Sequence, residues 1–246
     1  MKVKLFISYD GTKYCGWQVQ KNALTVQQVL QDAVEIIFGK RYSVTGCSRT
    51  DSGVHARSFC CAVDVEDDSI GIPQDKIPLA LNCHLPEDIS VDSAEFVGSD
   101  FHPRYDVKFK EYQYVIWNSP IRNVFLKDKS FTYSVKLDVD LMNKAADLFV
   151  GRFDFAAFMS SGSSVKDTVR EIKYFNVKRD GDMVVLNVAA DGFLYNMVRI
   201  LTGTLIEVSN GKIAVEDIPN IIENKNRKYA GFTAPPQGLY LNKVVY

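Results

Sequence analysis

Residues 46–56 carry the side chains best suited to chemistry, an arginine and an aspartate inside a loop that two glycines bound. The segment reads Gly-Cys-Ser-Arg-Thr-Asp-Ser-Gly-Val-His-Ala and follows a strand-like run. In extended backbone Arg49 and Asp51 share a side, because side chains two residues apart point the same way. Gly46 and Gly53 allow conformations that a Cβ would forbid. The pattern predicts either a carboxylate aimed for catalysis or a surface turn in which Asp51 bonds its own backbone and Arg49 is solvated.

Two later segments contain further polar candidates. Tyr112 and Tyr114 lie in an aromatic and β-branched run typical of a strand, where one is expected in the core and the other on the surface. Arg199 stands between Val198 and Ile200 on a helix that is otherwise apolar. A buried guanidinium is costly unless it is paired, so Arg199 is either held by a partner or reaches out to solvent along its aliphatic stem.

The sequence does not indicate a metal or membrane protein. His55, His84 and His102 lack the closely spaced His or Cys partners of a zinc site, and the five cysteines form no CxxC pair. An odd number of thiols fits a reducing cytoplasm. No apolar run approaches the roughly 18 residues of a membrane span, and the N-terminus alternates like a strand instead of a signal peptide. We expect a cytoplasmic protein.

Alternating strands and helices must position these residues. The hydrophobic periodicity and the turn residues predict strand, helix, strand, strand in each half of the chain. This order indicates an α+β fold with a mixed or antiparallel sheet. We expect two domains, residues 1–105 and 106–246. Predicted helices cover about 25–39, 73–82, 138–150, 194–209 and 216–224, and predicted strands cover 3–7, 42–47, 58–65, 89–97, 108–118, 170–179, 183–190 and 239–245.

The loop at 46–56 resembles the signature segment of the tRNA pseudouridine synthases of the TruA type. Seven further blocks resemble that family in the same order along nearly the whole chain, which makes the resemblance specific although each block alone is weak. These blocks are Tyr9–Gln18, Asn82–Ile89, Phe101–Arg104, Lys110–Tyr114, Gly151–Phe158, Phe193–Arg199 and Ala234–Leu241.

The resemblance implies a role for each candidate residue. Asp51 corresponds to the essential aspartate of the family, Arg49 to the arginine beside it, and Arg199 to a second arginine paired with the aspartate. Tyr112 corresponds to the tyrosine that stacks on the target base. The resemblance also implies two α/β domains that continue one sheet with a basic cleft between them. It implies a homodimer that acts on tRNA at about positions 38–40, without metal or organic cofactor.

These residue types suit pseudouridine formation, in which uracil leaves the sugar and rejoins it through C5. A carboxylate near C1′ can trap or stabilise an oxocarbenium-like sugar, or remove the 2′ proton, and the sequence leaves both routes open. An arginine keeps that carboxylate ionised because its planar fork matches two carboxylate oxygens. The target nucleotide must leave its stack to be reached, and an aromatic ring contributes about 1–3 kcal/mol of stacking to a base.

Other classes of protein fit less well. A catalytically silent RNA-binding module of the same fold would not need Asp51. A zinc-dependent base deaminase needs a His/Cys-Glu element and a Pro-Cys-x-x-Cys element, which are missing here. A phosphatase with an aspartyl nucleophile would want a second aspartate where Gly53 stands. A glycosidase wants two carboxylates at one site, and the loop offers one.

The net charge constrains how the protein can bind RNA. The chain has 29 basic and 30 acidic residues, yet it must bind a polyanion. The basic side chains must be segregated, so we predict a basic cleft centred on Asp51, with the acidic residues 66–68 away from it. Its lining is predicted to include Arg49, Arg199 and some of Arg104, Lys108 and Lys110. Binding then releases counterions, and log affinity for tRNA should fall linearly with log salt with a slope of several units. A flat salt titration would contradict this prediction.

Overall fold

The computed structural model describes residues 1–66, 71–162 and 165–246, and these form two compact units. The first contains residues 1–108 together with 240–246, and the second contains 109–239. The predicted division at 105/106 assigned the closing strand to the second domain, whereas residues 240–246 lie in the first unit. Periodicity shows that a strand is present there, but its pairing partners are a long-range property that periodicity does not encode.

The sheet of the first unit is mixed. Strands β1 (Lys2–Tyr9), β2 (Val44–Gly46), β3 (His55–Asp64) and β4 (Ile89–Val97) pair antiparallel, with β1 between β3 and β4 and with β2 on β3. The last strand of the chain, β10 (Leu239–Val245), runs parallel to the start of β3. Helices α1 (Val26–Phe38) and α2 (Ile77–Asn82) complete the unit. The predicted helix over about 25–39 is confirmed, and its ends are capped: the Thr25 hydroxyl accepts the Gln28 N–H, and Gly39 ends the helix in the left-handed region.

The described residues of the second unit form their own strands and three α-helices. Strands β5 (Phe109–Trp117), β9 (Met183–Ala190), β8 (Val169–Asp180) and β7 (Gly151–Asp154) follow one another as antiparallel neighbours, and β6 (Phe131–Thr132) runs parallel to β5. The helices are α3 (Val139–Asp147), α4 (Met197–Ser209) and α5 (Ile218–Asn224). The α+β class and the mixed sheet are confirmed. Within the described ranges, no helix combines the length and apolar character needed to cross a membrane.

Helix α4 begins three residues later than predicted because Asn196 has a φ of 61°, in the left-handed region that a right-handed helix excludes. Most of its side chains are buried. Residues 230–234, named here the strap, pack against this helix so closely that the two backbones are in contact. The Gly231 N–H donates to the Thr204 hydroxyl at 2.9 Å, and a Cβ at Gly203 would lie 1.9 Å from the Phe232 carbonyl oxygen. The strap can approach α4 this closely only because residue 203 has no side chain.

The substitution Gly203→Ala should therefore destabilise the protein. Because the obstructing atom belongs to the backbone, the strap must move, at a cost of about 1–3 kcal/mol of unfolding free energy that outweighs the gain of ~1 kcal/mol in helix propensity. Urea denaturation followed by circular dichroism measures the change. The control is Gly71→Ala, where an added Cβ meets nothing within 4 Å. Equal stability of the two variants would contradict the close approach.

Candidate active site

The loop that contains Asp51 connects β2 to β3 in the first unit and is held by the segment that follows β1. The backbone N–H of Trp17 donates to the Thr50 carbonyl at 3.1 Å, and the backbone N–H of Gly53 donates to the Tyr14 carbonyl at 3.3 Å. The hydroxyls of Tyr9 and Thr50 lie 2.8 Å apart in a buried hydrogen bond. Residues 9–17 thus fix the backbone on both sides of Asp51.

Two glycines in residues 9–17 make this docking possible. A Cβ at Gly11 would lie 2.0 Å from the carbonyl oxygen of Val54, and a Cβ at Gly16 would lie 2.5 Å from that of Thr50. Gly16 also has a φ of +85°, which L side chains rarely adopt. The sequence showed that both segments resemble one family, but it did not show that they are two halves of a single backbone contact.

His55 is a buried structural residue at the start of β3 that sequence reasoning did not place in the site. Its Nδ1 accepts the Gly11 N–H at 3.1 Å and lies 3.0 Å from a carboxylate oxygen of Asp10. Its ring stacks on Tyr240 with centroids 4.7 Å apart. The only signal in the sequence was the histidine directly after Gly-Val in the signature segment.

Asp51 and Arg49 differ in environment although they are close in sequence. Asp51 is half-buried, and its carbonyl accepts the Val54 N–H at 3.1 Å, which closes a turn. Arg49 is exposed, and its guanidinium forms no hydrogen bond or ion pair with residues 1–66, 71–162 or 165–246. The adjacent arginine therefore does not hold the Asp51 carboxylate, and its donors face solvent.

Arg199, in the second unit, is half-buried and anchored. Its Nε donates to the Ala234 carbonyl at 2.7 Å, and the Ala234 N–H donates back to the Arg199 carbonyl at 3.1 Å. Its Nη1 donates to the Asn196 side-chain oxygen at 2.7 Å. Of the two interpretations that the sequence left open, the held arginine is the observed one. Burial raises the pKa of the Tyr114 phenol, and the nearby Arg199 charge partly lowers it.

Tyr112 and Tyr114 are both buried on β5. Tyr112 is 6% exposed and meets Phe193 edge-on, with centroids 5.1 Å apart. Tyr114 is fully buried, and its hydroxyl donates to the Pro235 carbonyl at 2.6 Å. The expectation of one core and one surface tyrosine was wrong, because residues two apart on a strand point to the same face.

Many of the basic side chains in the first unit are paired with carboxylates. Lysines 4, 13 and 40 form ion pairs with acidic residues, and Arg41 bonds two carboxylates. The amine of Lys108 donates to the main-chain oxygen of Tyr246 at 2.9 Å, whereas Lys110 belongs to the second unit and is buried at 8% exposure. Of the acidic residues 66–68, Glu66 pairs with Lys40 at 2.6 Å, while residues 67 and 68 lie outside the described residues. Arg49 and Arg104 thus remain as exposed guanidiniums without a carboxylate partner in the described residues.

Comparison with known proteins assigns the chain to a family. The family profile described as tRNA pseudouridine synthase matches residues 5–106 and 145–246. The tRNA pseudouridine synthase A of Acetivibrio thermocellus is 48% identical over 244 residues, 99% of each chain. That of Ruminiclostridium cellulolyticum is 46% identical over 246 residues, 100% of this chain and 99% of the relative. That of Clostridium acetobutylicum is 44% identical over 244 residues, 99% of each chain. The chain therefore belongs to the tRNA pseudouridine synthase family, whose reaction isomerises uridine in tRNA to pseudouridine.

Proposed function

We propose that this enzyme modifies uridines in the anticodon stem-loop of tRNA, at about positions 38–40, with Asp51 as the catalytic carboxylate. The observation that carries the assignment of Asp51 is the fixed backbone around it, bonded through Thr50, Gly53 and Val54. A carboxylate on a preorganised loop reacts without first losing conformational freedom. The position in tRNA rests on the resemblance of the signature blocks to the TruA type and on relatives named tRNA pseudouridine synthase A.

The Asp51 carboxylate has two chemically balanced roles available. In the first, it bonds to C1′ as the N1–C1′ bond breaks, and C5 of the rotated uracil later displaces it. In the second, it removes the 2′ proton as uracil leaves and returns that proton when the C5–C1′ bond forms. In both routes the C5 proton is finally lost and N1 gains a proton. Both require an ionised carboxylate, since the protonated acid is neither a good nucleophile nor a good base.

Arg199 is proposed to keep this carboxylate ionised. Its bonds to Ala234 and Asn196 hold the guanidinium in one orientation. An arginine that is already ordered loses little side-chain entropy when it binds a carboxylate, and its planar fork suits both oxygens. Arg49 is proposed to contact the RNA instead, because its guanidinium is exposed and has no carboxylate partner in the described residues.

Tyr112 is proposed to stack on the target base. Its position on β5, against Phe193, holds the ring in a defined orientation. Since only 6% of the residue is exposed, stacking requires that substrate binding opens one face of the ring. We also infer that the enzyme is a homodimer, on the basis of the family resemblance. We infer a cytoplasmic location because five thiols, an odd number, suit a reducing compartment.

Replacing Asp51 with Asn tests the proposed function. The change keeps the size and removes the charge, so pseudouridine formation should fall by several orders of magnitude while tRNA binding persists. Carbodiimide treatment followed by reverse transcription maps pseudouridine on tRNA transcripts and reports both the rate and the position. Circular dichroism of the variant controls for folding. Appreciable turnover by Asp51→Asn would show that the chain does not use this carboxylate, and product outside the anticodon stem-loop would refute the proposed position. If the wild-type protein binds tRNA but forms no pseudouridine at any position, the result would favour a silent RNA-binding module.

Two substitutions of Tyr112 separate stacking from proton transfer. Tyr112→Phe retains the ring, whereas Tyr112→Leu retains only apolar bulk. If the ring stacks on the base, the Phe variant should keep most of the turnover and the Leu variant should lose about 1–3 kcal/mol of transition-state binding. Single-turnover kinetics on the same tRNA measures the rate of each variant. An inactive Phe variant would instead assign the function to the hydroxyl group.

A further inference from the structure

Residues 101–106, named here the aromatic turn, form a turn in the first unit that is closed by several hydrogen bonds and has no part in the proposed catalytic roles. The N–H groups of Tyr105 and Asp106 donate to the His102 carbonyl at 3.2 and 3.1 Å. The His102 Nδ1 accepts the N–H groups of Arg104 and Tyr105 at 3.1 and 3.3 Å. The His102 N–H in turn donates to the Asp106 carboxylate at 2.8 Å. Every residue from 104 to 106 is therefore tied to His102.

This turn presents an aromatic ring to solvent. Tyr105 is 74% exposed, although hydrogen bonds hold the backbone of its segment. The His102 ring lies against Tyr105 with centroids 4.2 Å apart and an angle of 32°. His102 thus supports the tyrosine ring, and most of the Tyr105 residue remains accessible to solvent. A supported, ordered ring is a platform on which a planar group can stack with little loss of entropy.

A guanidinium without a carboxylate partner lies over the Tyr105 ring, at the outer range of a cation–π contact. The Arg104 guanidinium carbon lies 5.9 Å from the Tyr105 centroid, and in the described part of the chain it makes no hydrogen bond or ion pair. The nearest acid in the turn, Asp106, already accepts the His102 N–H. The Lys2 amine, which donates to the Phe101 carbonyl at 2.8 Å, is paired with Asp64 at 3.5 Å, so Arg104 supplies the unneutralised positive charge of this turn.

We propose that Arg104 and Tyr105 form an RNA-contact site, in which Tyr105 stacks on an unstacked base and Arg104 binds the adjoining phosphate. A guanidinium matches phosphate oxygens in pairs, and base–aromatic stacking is the usual means by which proteins hold unpaired nucleotides. A protein partner fits less well, because Tyr105 is the only large apolar residue of the aromatic turn that is exposed. The assignment of this base to the anticodon stem-loop rests on the proposed function.

Two substitutions separate the contributions of the ring and the charge. Equilibrium binding is measured with tRNA that already contains pseudouridine, so the result does not depend on turnover or on the role of Asp51. Tyr105→Leu should weaken binding about tenfold and leave the slope of log Kd against log salt unchanged, while Tyr105→Phe should bind like wild type. Arg104→Ala should weaken binding and reduce that slope by about one. The control is Lys76→Ala, which removes an exposed cation already paired with Asp75 and should leave both quantities unchanged.

The outcomes distinguish this site from the proposed function. Wild-type affinity of Tyr105→Leu, or equal losses in the Leu and Phe variants, would refute stacking. An Arg104→Ala slope equal to that of wild type would refute the phosphate contact. Thermal denaturation of each variant identifies any loss of affinity that comes from unfolding, and such a loss would count against the site. If pseudouridine maps outside the anticodon stem-loop while the Tyr105 effect persists, the proposed position fails and the RNA contact stands.

Discussion

The close approach of two backbone segments, residues 9–17 and residues 47–54, is the contact on which the candidate site of the first unit depends. Gly11 and Gly16 let the segments meet at distances that any side chain would prevent. Main-chain hydrogen bonds to Thr50 and from Gly53 then hold the turn that carries Asp51. Because backbone groups must be satisfied when they are buried, this docking also supplies partners that a loop of this length could not provide for itself.

The second unit uses the same device around its candidate arginine. A helix glycine, Gly203, admits the strap, and the strap returns two hydrogen bonds between Ala234 and Arg199. The strap is itself braced by Arg227, whose guanidinium donates to the carbonyls of Ala230 and Gly231. In both units the polar residue of interest is oriented by a segment far away in sequence, and a glycine permits the contact.

The ion pairs determine which cations a chain of net charge −1 presents to a polyanion. Carboxylates neutralise most lysines of the first unit, at distances such as 3.1 Å for Lys4 and Glu95. Exposed ion pairs add little stability, but each one removes a cation from the potential that a phosphate experiences. The guanidiniums of Arg49 and Arg104 form no ion pair with the described residues of the chain. We propose that both contact RNA.

Local patterns were sufficient for the strands, the helices and the α+β class, because alternation and the cap at Thr25 depend on neighbours in sequence. The amino-acid sequence also determined the family, through blocks such as the signature loop around Asp51. Those blocks did not reveal which of them touch one another.

Only the tertiary structure decided the remaining points. It placed β10 beside β3 in the first unit, buried both tyrosines of β5, and showed Arg199 anchored while Arg49 is exposed. Each of these depends on contacts between residues tens of positions apart, and burial or pairing at that range follows from how the elements pack. A sequence pattern reports the preference of a residue for a strand or helix, whereas its partners are set by packing.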